Sequence, residues 1–169
     1  MVRMDMSTQK RSLVAGFFQL GYVTRDLDAA IAEFRRRFGP AEFQIIEGTA
    51  QHPHTKRIAL TWIGETMTEL IEPNPAVPSL YVDPLPPAAN GEIRFHHIGC
   101  LTQDYGETLR RIRAEGYATP LEVSVGDVLD CVYADTRTEL GHYLEYIRLG
   151  EEGRKWFESV PGFRRFPEF

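Results

Sequence analysis

The sequence predicts an α+β fold in which two βαβββ modules join into one curved, eight-stranded mixed sheet. Two observations predict it. The first is an internal repeat that aligns without a gap: FQLGYVTRDLDAAIAEFRR, from Phe18, matches HHIGCLTQDYGETLRRIRA, from His96. The second is a change of apolar period, from strand to helix, inside each copy, with three further strand-like runs after each helix.

In the first copy Phe18, Leu20 and Val23 lie on a strand, and Leu27, Ala30, Ile31, Phe34 and Phe38 form a helical stripe. In the second copy Ile98 and Leu101 lie on the strand, and Tyr105, Leu109 and Ile112 form the stripe. This three-to-four spacing buries one helix face. Asp26 and Asp104 stand at the N-cap positions, where a short carboxylate accepts from the free amides of the first turn. Glu107 predicts a capping box in the second copy. Gly39 and Gly116 stop the helices.

The strand-like runs of the first half are 42–47, 56–63 and 66–72, with Gly64 and Glu65 as a hairpin turn. Those of the second half are 119–125, 128–134 and 142–148. One domain over 13–148 is expected, with modules 13–73 and 94–148. The stretch 73–92 contains six prolines and reads as an extended linker. Residues 149–169 predict a short helix ending near Pro161 and an aromatic tail.

The bulk properties narrow the function. A chain of 169 residues suffices for one domain with a real core. A net charge of −5 argues against nucleic acid or an anionic membrane as partner. Cys100 and Cys131 sit inside apolar runs and read as buried thiols. Neither a secretory signal nor a membrane span is recognisable, so a cytoplasmic protein is expected.

Four polar residues occupy apolar strands. In the repeat Gln19 falls on His97, and alternation of strand faces puts both on the same face. The last strands of the two halves also match, Glu69-Leu-Ile with Glu145-Tyr-Ile. Singly, a strand glutamine is most often solvated or bonded to backbone, and a lone histidine is more often a core residue than a ligand. Together, a pseudo-twofold axis brings Gln19, Glu69, His97 and Glu145 to one point. Two carboxylates, an amide and an imidazole there suit a divalent metal, whose charge relieves the burial of both glutamates. Zn, Ni, Co and Mn all fit these donors. His96 is expected on the opposite strand face from His97, and His142 out of phase with Glu145. His52 and His54 fall on an expected surface loop. Phe17, Gly21, Phe95, Gly99 and Tyr143 are expected to share strand faces with the four ligands, the glycines leaving room beside the metal.

Paired βαβββ modules with these positions resemble the vicinal oxygen chelate superfamily, which includes glyoxalase I, methylmalonyl-CoA epimerase, extradiol dioxygenases and bleomycin-resistance proteins. FQLGYVTRDLDAA and RFHHIGCLTQDYGETLRRI resemble the two strand-helix units, and TELIEP and YLEYI the two ligand-bearing strands. The resemblance covers about 15–148. It implies a metal-binding cleft enclosed by the curved sheet, with Gln19, Glu69, His97 and Glu145 as ligands to one divalent ion. This set is similar to that of animal-type glyoxalase I. It implies a glyoxalase-like isomerase or lyase in which a metal-stabilised enediolate forms from a small oxygenated substrate and Glu145 or Glu69 moves the proton. The alternative is a non-catalytic, antibiotic-resistance-type binding protein, whose relatives generally lack the ligands. A homodimer is also implied, with the aromatic tail (Trp156, Phe157, Phe163, Phe166, Phe169) as local support. The sequence departs from glyoxalase I at Val23 and Pro73, where relatives place glutathione-holding groups. It departs from the epimerases in TKRIALTWIG, which has no glutamate.

Overall fold

The computed structural model describes residues 14–40, 42–85, 87 and 92–168. The first module comprises β1 (Val14–Thr24), α1 (Leu27–Phe38), β2 (Gln44–Thr49), β3 (His52–Ile63) and β4 (Thr66–Pro73). The second comprises β5 (Ile93–Thr102), α2 (Tyr105–Ala114), β6 (Leu121–Val125), β7 (Leu129–Ala134) and β8 (Tyr143–Leu149), with a one-turn helix α3 (Arg137–Leu140) before β8. Helix α4 (Glu151–Glu158) closes the chain's regular structure.

All eight strands form one sheet in the order β2-β3-β4-β1-β5-β8-β7-β6. Exchanging the modules reverses this order onto itself, so the internal repeat is a pseudo-twofold axis between β1 and β5. β1 and β5 are antiparallel to each other, while each is parallel to its own module's last strand. The mixed sheet with its few helices is the α+β architecture that the repeat predicts.

The helices form where the capping chemistry allows. The Asp26 side chain accepts from Ala29 N at 3.0 Å, and that of Asp104 from Glu107 N at 2.8 Å. The Glu107 carboxylate engages Arg110 and Arg111, leaving only the forward half of the predicted capping box. Gly39 ends α1 at φ 74°, a conformation costly to any residue with a Cβ. Leu27, Ala30, Ile31 and Phe34 pack on Ala59 and Leu70 of the sheet's outer face. Ile112 of α2 packs equivalently on Val132 and Ala134.

Three expectations are corrected. His52 and His54 lie on β3, which pairs with β2 from Thr49 opposite His52, so they are strand residues. The linker is built of turns through Leu85: Val77 N donates to Asn74 O and Leu85 N to Val82 O. It turns because Leu80, Tyr81 and Leu85 are buried in the inner core with residues of both modules, and apolar burial outweighs the extended bias of its prolines. The aromatic tail is used within the chain. Phe157 packs on Phe18, and Phe163 and Phe166 pack on Trp62. Trp62 N donates to Pro161 O at 2.8 Å and Trp62 Nε1 to Phe157 O at 3.3 Å. Phe157, Phe163 and Phe166 are thus engaged within the chain. Phe169 lies outside the described residues.

Candidate metal centre

The site is built on β1, β4, β5 and β8. Two lateral rows of the sheet carry it. In one, Glu69, Gly21, His97 and Tyr143 stand side by side on four adjacent strands. In the other, Gln19, Gly99 and Glu145 do so on three. Each row thus places a glycine between two polar residues, on strands two apart. Such strands are separated by roughly 10 Å in a flat sheet. Curvature and the missing side chains of Gly21 and Gly99 let the flanking groups lean together.

They do meet. Ligand atoms of Glu69, His97 and Glu145 all lie within 4.8 Å of one another. His97 Nε2 is 3.2 Å from Glu69 Oε2 and 3.3 Å from Glu145 Oε2. Gln19 Nε2 donates to Glu69 Oε2 at 3.0 Å. Its other atom, Oε1, is buried with no partner, as are His97 Nε2 and Glu145 Oε2 by hydrogen-bond geometry. A buried polar atom left unmade costs about 1–3 kcal/mol. One divalent ion, held by Gln19, Glu69, His97 and Glu145, would satisfy all three, so the donor set fits the metal.

The glycines serve a purpose other than leaving room for a substrate. A Cβ on Gly21 would lie 1.8 Å from His97 Cε1, and one on Gly99 2.5 Å from Gln19 Oε1. Each glycine makes space for the other module's ligand.

The electrostatics follow from burial. Burial disfavours charge on His97, but Glu145 and Glu69 beside it prevail and hold its pKa at about 9. Burial raises the pKa of Glu69, with His97 opposing. Burial, then the charge of Glu145, pushes the phenols of Tyr81 and Tyr133 and the thiol of Cys131 well up, so all three remain protonated.

His96 does not turn away from His97. Its Nδ1 is 2.9 Å from His97 Nδ1, and its Nε2 is 3.1 Å from Leu80 O. The reason is a β-bulge. Gly21 pairs with His97 and Tyr22 with Phe95, so His96 is an extra residue in β5. Phe18 is likewise an extra residue in β1, at the repeat-equivalent position. A bulge breaks strict alternation, so Phe18 and His96 join their neighbours on the inner face. Phe17 and Phe95 are displaced outward for the same reason. Phe17 is 70% exposed, and Phe95 packs on Tyr22 and His142 outside the cleft. Neither lines the metal centre. Tyr143 does stay inside, with its ring centroid 4.9 Å from that of His96. His142 is out of phase as expected, its Nδ1 against Tyr143 O.

Residues that sequence reasoning missed are His96, Tyr81 and Tyr133. Tyr81 comes from the linker, and its ring lies 5.1 Å from that of His96. The ring of Tyr133 lies 5.2 Å from that of His97. The His96–His97 doublet was the one available signal, and only a bulge gives it meaning.

Comparison with known proteins agrees with the fold. The family model described as glyoxalase/bleomycin resistance protein/dioxygenase superfamily matches residues 18–131. No curated protein matches the sequence. Among solved structures, methylmalonyl-CoA epimerase from Mycobacterium tuberculosis superposes with a TM-score of 0.63 at 18% identity, over 88% of this chain and 97% of that one. A methylmalonyl-CoA epimerase in complex with methylmalonyl-CoA and NH4+ gives 0.61 at 21%, over 83% and 97%. The Streptomyces coelicolor epimerase in complex with 2-nitronate-propionyl-CoA gives 0.60 at 21%, over 80% and 98%. At these identities the likeness is one of fold.

Proposed function

The chain belongs to the glyoxalase/bleomycin resistance protein/dioxygenase superfamily, and on that premise we propose that it is a divalent-metal-dependent isomerase or lyase of the glyoxalase type, acting on a small oxygenated substrate. One observation carries the reading: ligand atoms of Glu69, His97 and Glu145 lie within 4.8 Å of one another, with Gln19 bonded to Glu69 and buried atoms of Gln19, His97 and Glu145 left without a hydrogen-bond partner. A divalent cation held there supplies Lewis acidity, stabilising negative charge that develops on a substrate oxygen.

The chain's own groups divide the remaining work. Glu69 carries the proton. Its side chain is 13% exposed against 8% for Glu145, and burial raises its pKa, the direction that strengthens a carboxylate as a general base. The Gln19 amide fixes one of its oxygens. Glu145, His97 and Gln19 would hold the ion together with Glu69.

The substrate is an oxygenated metabolite of apolar or aromatic character. The part of β3 beside Glu69 presents Ile58, Leu60 and Trp62 to the inner core, with no carboxylate. That speaks against methylmalonyl-CoA. Val23 is fully buried in the same core, which speaks against the charged glutathione moiety. The assembly is proposed as a cytoplasmic homodimer, on the resemblance alone.

The test begins with protein purified without chelators. It should hold about one divalent ion per chain. Proton exchange with deuterated solvent, next to the carbonyl of small oxygenated compounds, should appear for one compound class. Glu69→Gln should retain the ion and lose the exchange. A protein that refuses added Zn, Ni, Co and Mn sinks the reading.

A further inference from the structure

The inner face of β5 carries two adjacent histidines, and only one of them is aimed at the carboxylates. His96 is 2% exposed and surrounded by the rings of Tyr81, Tyr133 and Tyr143. Its two nitrogens have different partners: Nε2 faces the Leu80 carbonyl at 3.1 Å, and Nδ1 faces His97 Nδ1 at 2.9 Å.

These contacts fix the protons in sequence. A backbone carbonyl only accepts, so His96 Nε2 must carry hydrogen and donate to Leu80 O. A neutral imidazole with hydrogen on Nε2 has its lone pair on Nδ1. His96 Nδ1 therefore accepts, and the donor must be His97 Nδ1–H. Neutral His97 then has its lone pair on Nε2, the atom set between Glu69 and Glu145. We propose that His96 is a positioning residue that transmits the Leu80 carbonyl of the inter-module linker to His97, fixing the His97 tautomer in which Nε2 is free to bind a metal.

The bulge makes this possible. In a regular strand His96 and His97 would face opposite sides, and no nitrogen pair could form. The extra residue in β5 puts both rings inside. The linker closes the relay because Leu80 and Tyr81 are buried in the same core. Outer-shell partners of ligating histidines typically contribute 10–100-fold in metal affinity.

The inference rests on the metal-centre reading, and its test separates the two. The full chain is compared with His96→Phe, which keeps the ring packing and removes the acceptor, and with His96→Asn. The asparagine amide keeps an acceptor at the place of His96 Nδ1, while its nitrogen ends one bond short of the Nε2 position that faces Leu80 O. In the 15N-labelled protein without metal, NMR should show hydrogen on His97 Nδ1, with a coupling across the bond to His96 Nδ1. That signal stands whether or not any ion binds. His96→Phe should lose about 10–100-fold in Zn affinity, measured by chelator competition, and His96→Asn should recover most of it. Finding the wild-type His97 hydrogen on Nε2 alone overturns the proposal even if His96→Phe fails to fold. So does a folded His96→Phe that binds Zn as tightly as wild type. A wild-type protein with the Nδ1 hydrogen and no affinity for Zn, Ni, Co or Mn refutes the metal reading and, with it, the ligand-presenting role.

Discussion

Gly21 stands directly beside His97 on the neighbouring strand, so close that a Cβ there would fall 1.8 Å from Cε1 and 2.2 Å from Nδ1 of the imidazole. Gly99 stands in the same relation to Gln19. The pseudo-twofold axis thus pairs each module's glycine with the other module's ligand. These two strand glycines, otherwise weak strand formers, are the condition for convergence.

Gly21→Ala should impair ion binding more than Gly99→Ala. The His97 ring is fully buried and packed against His96 and Tyr133, so it cannot yield. At Gly99 the overlaps are milder, 2.5 Å to Gln19 Oε1 and 2.7 Å to Gln19 Cβ, and only the first can be relieved by moving the side chain's flexible end. For Gly21→Ala the expected loss in Zn affinity exceeds the roughly 10–100-fold of an outer-shell change. Chelator competition on both variants checks the order, and equal affinities would contradict it.

Ion capture should release protons. Without metal, His97 stays protonated up to about pH 9, because Glu145 and Glu69 outweigh the effect of burial. An ion at Nε2 must displace that proton. Apparent affinity therefore rises with pH, by about tenfold per unit toward pH 9, and then levels off as His97 deprotonates unaided. At pH 7 at least one proton should leave per ion. Calorimetry in buffers of different ionisation enthalpy measures this number, and zero would show that His97 is not a ligand.

Phe157→Ala should destabilise the fold by about 3–5 kcal/mol. The ring is buried in the inner core and packs on Phe18, the bulge residue adjoining Gln19. Urea unfolding followed by circular dichroism gives the value. A change below about 1 kcal/mol would mean that the C-terminal helix is only loosely attached to the sheet.

The repeat was legible because local physics wrote it twice. Apolar period, N-cap aspartates and stop glycines depend on neighbours three or four residues away, so they survive in the linear chain. The pairing of Gln19 with His97 and of Glu69 with Glu145 was likewise legible, since repeat equivalence carries strand-face parity from one module to the other. That reasoning held where the strands are regular. It failed at His96, Phe17 and Phe95, which flank or occupy the bulges. An extra residue reverses parity, and a bulge comes from how two strands pair, which neither strand records.

By itself, then, the sequence determined two βαβββ modules and four polar residues that had to meet, because each element follows from short-range periodicity and the repeat imposes the axis. Only the tertiary structure decided how they meet. It placed Gly21 and Gly99 between the ligands of each lateral row and seated the linker's Leu80 carbonyl on His96. It also turned the aromatic tail onto Trp62. These contacts join residues that are distant in the chain and close only across a curved sheet, where burial of apolar surface selects the register.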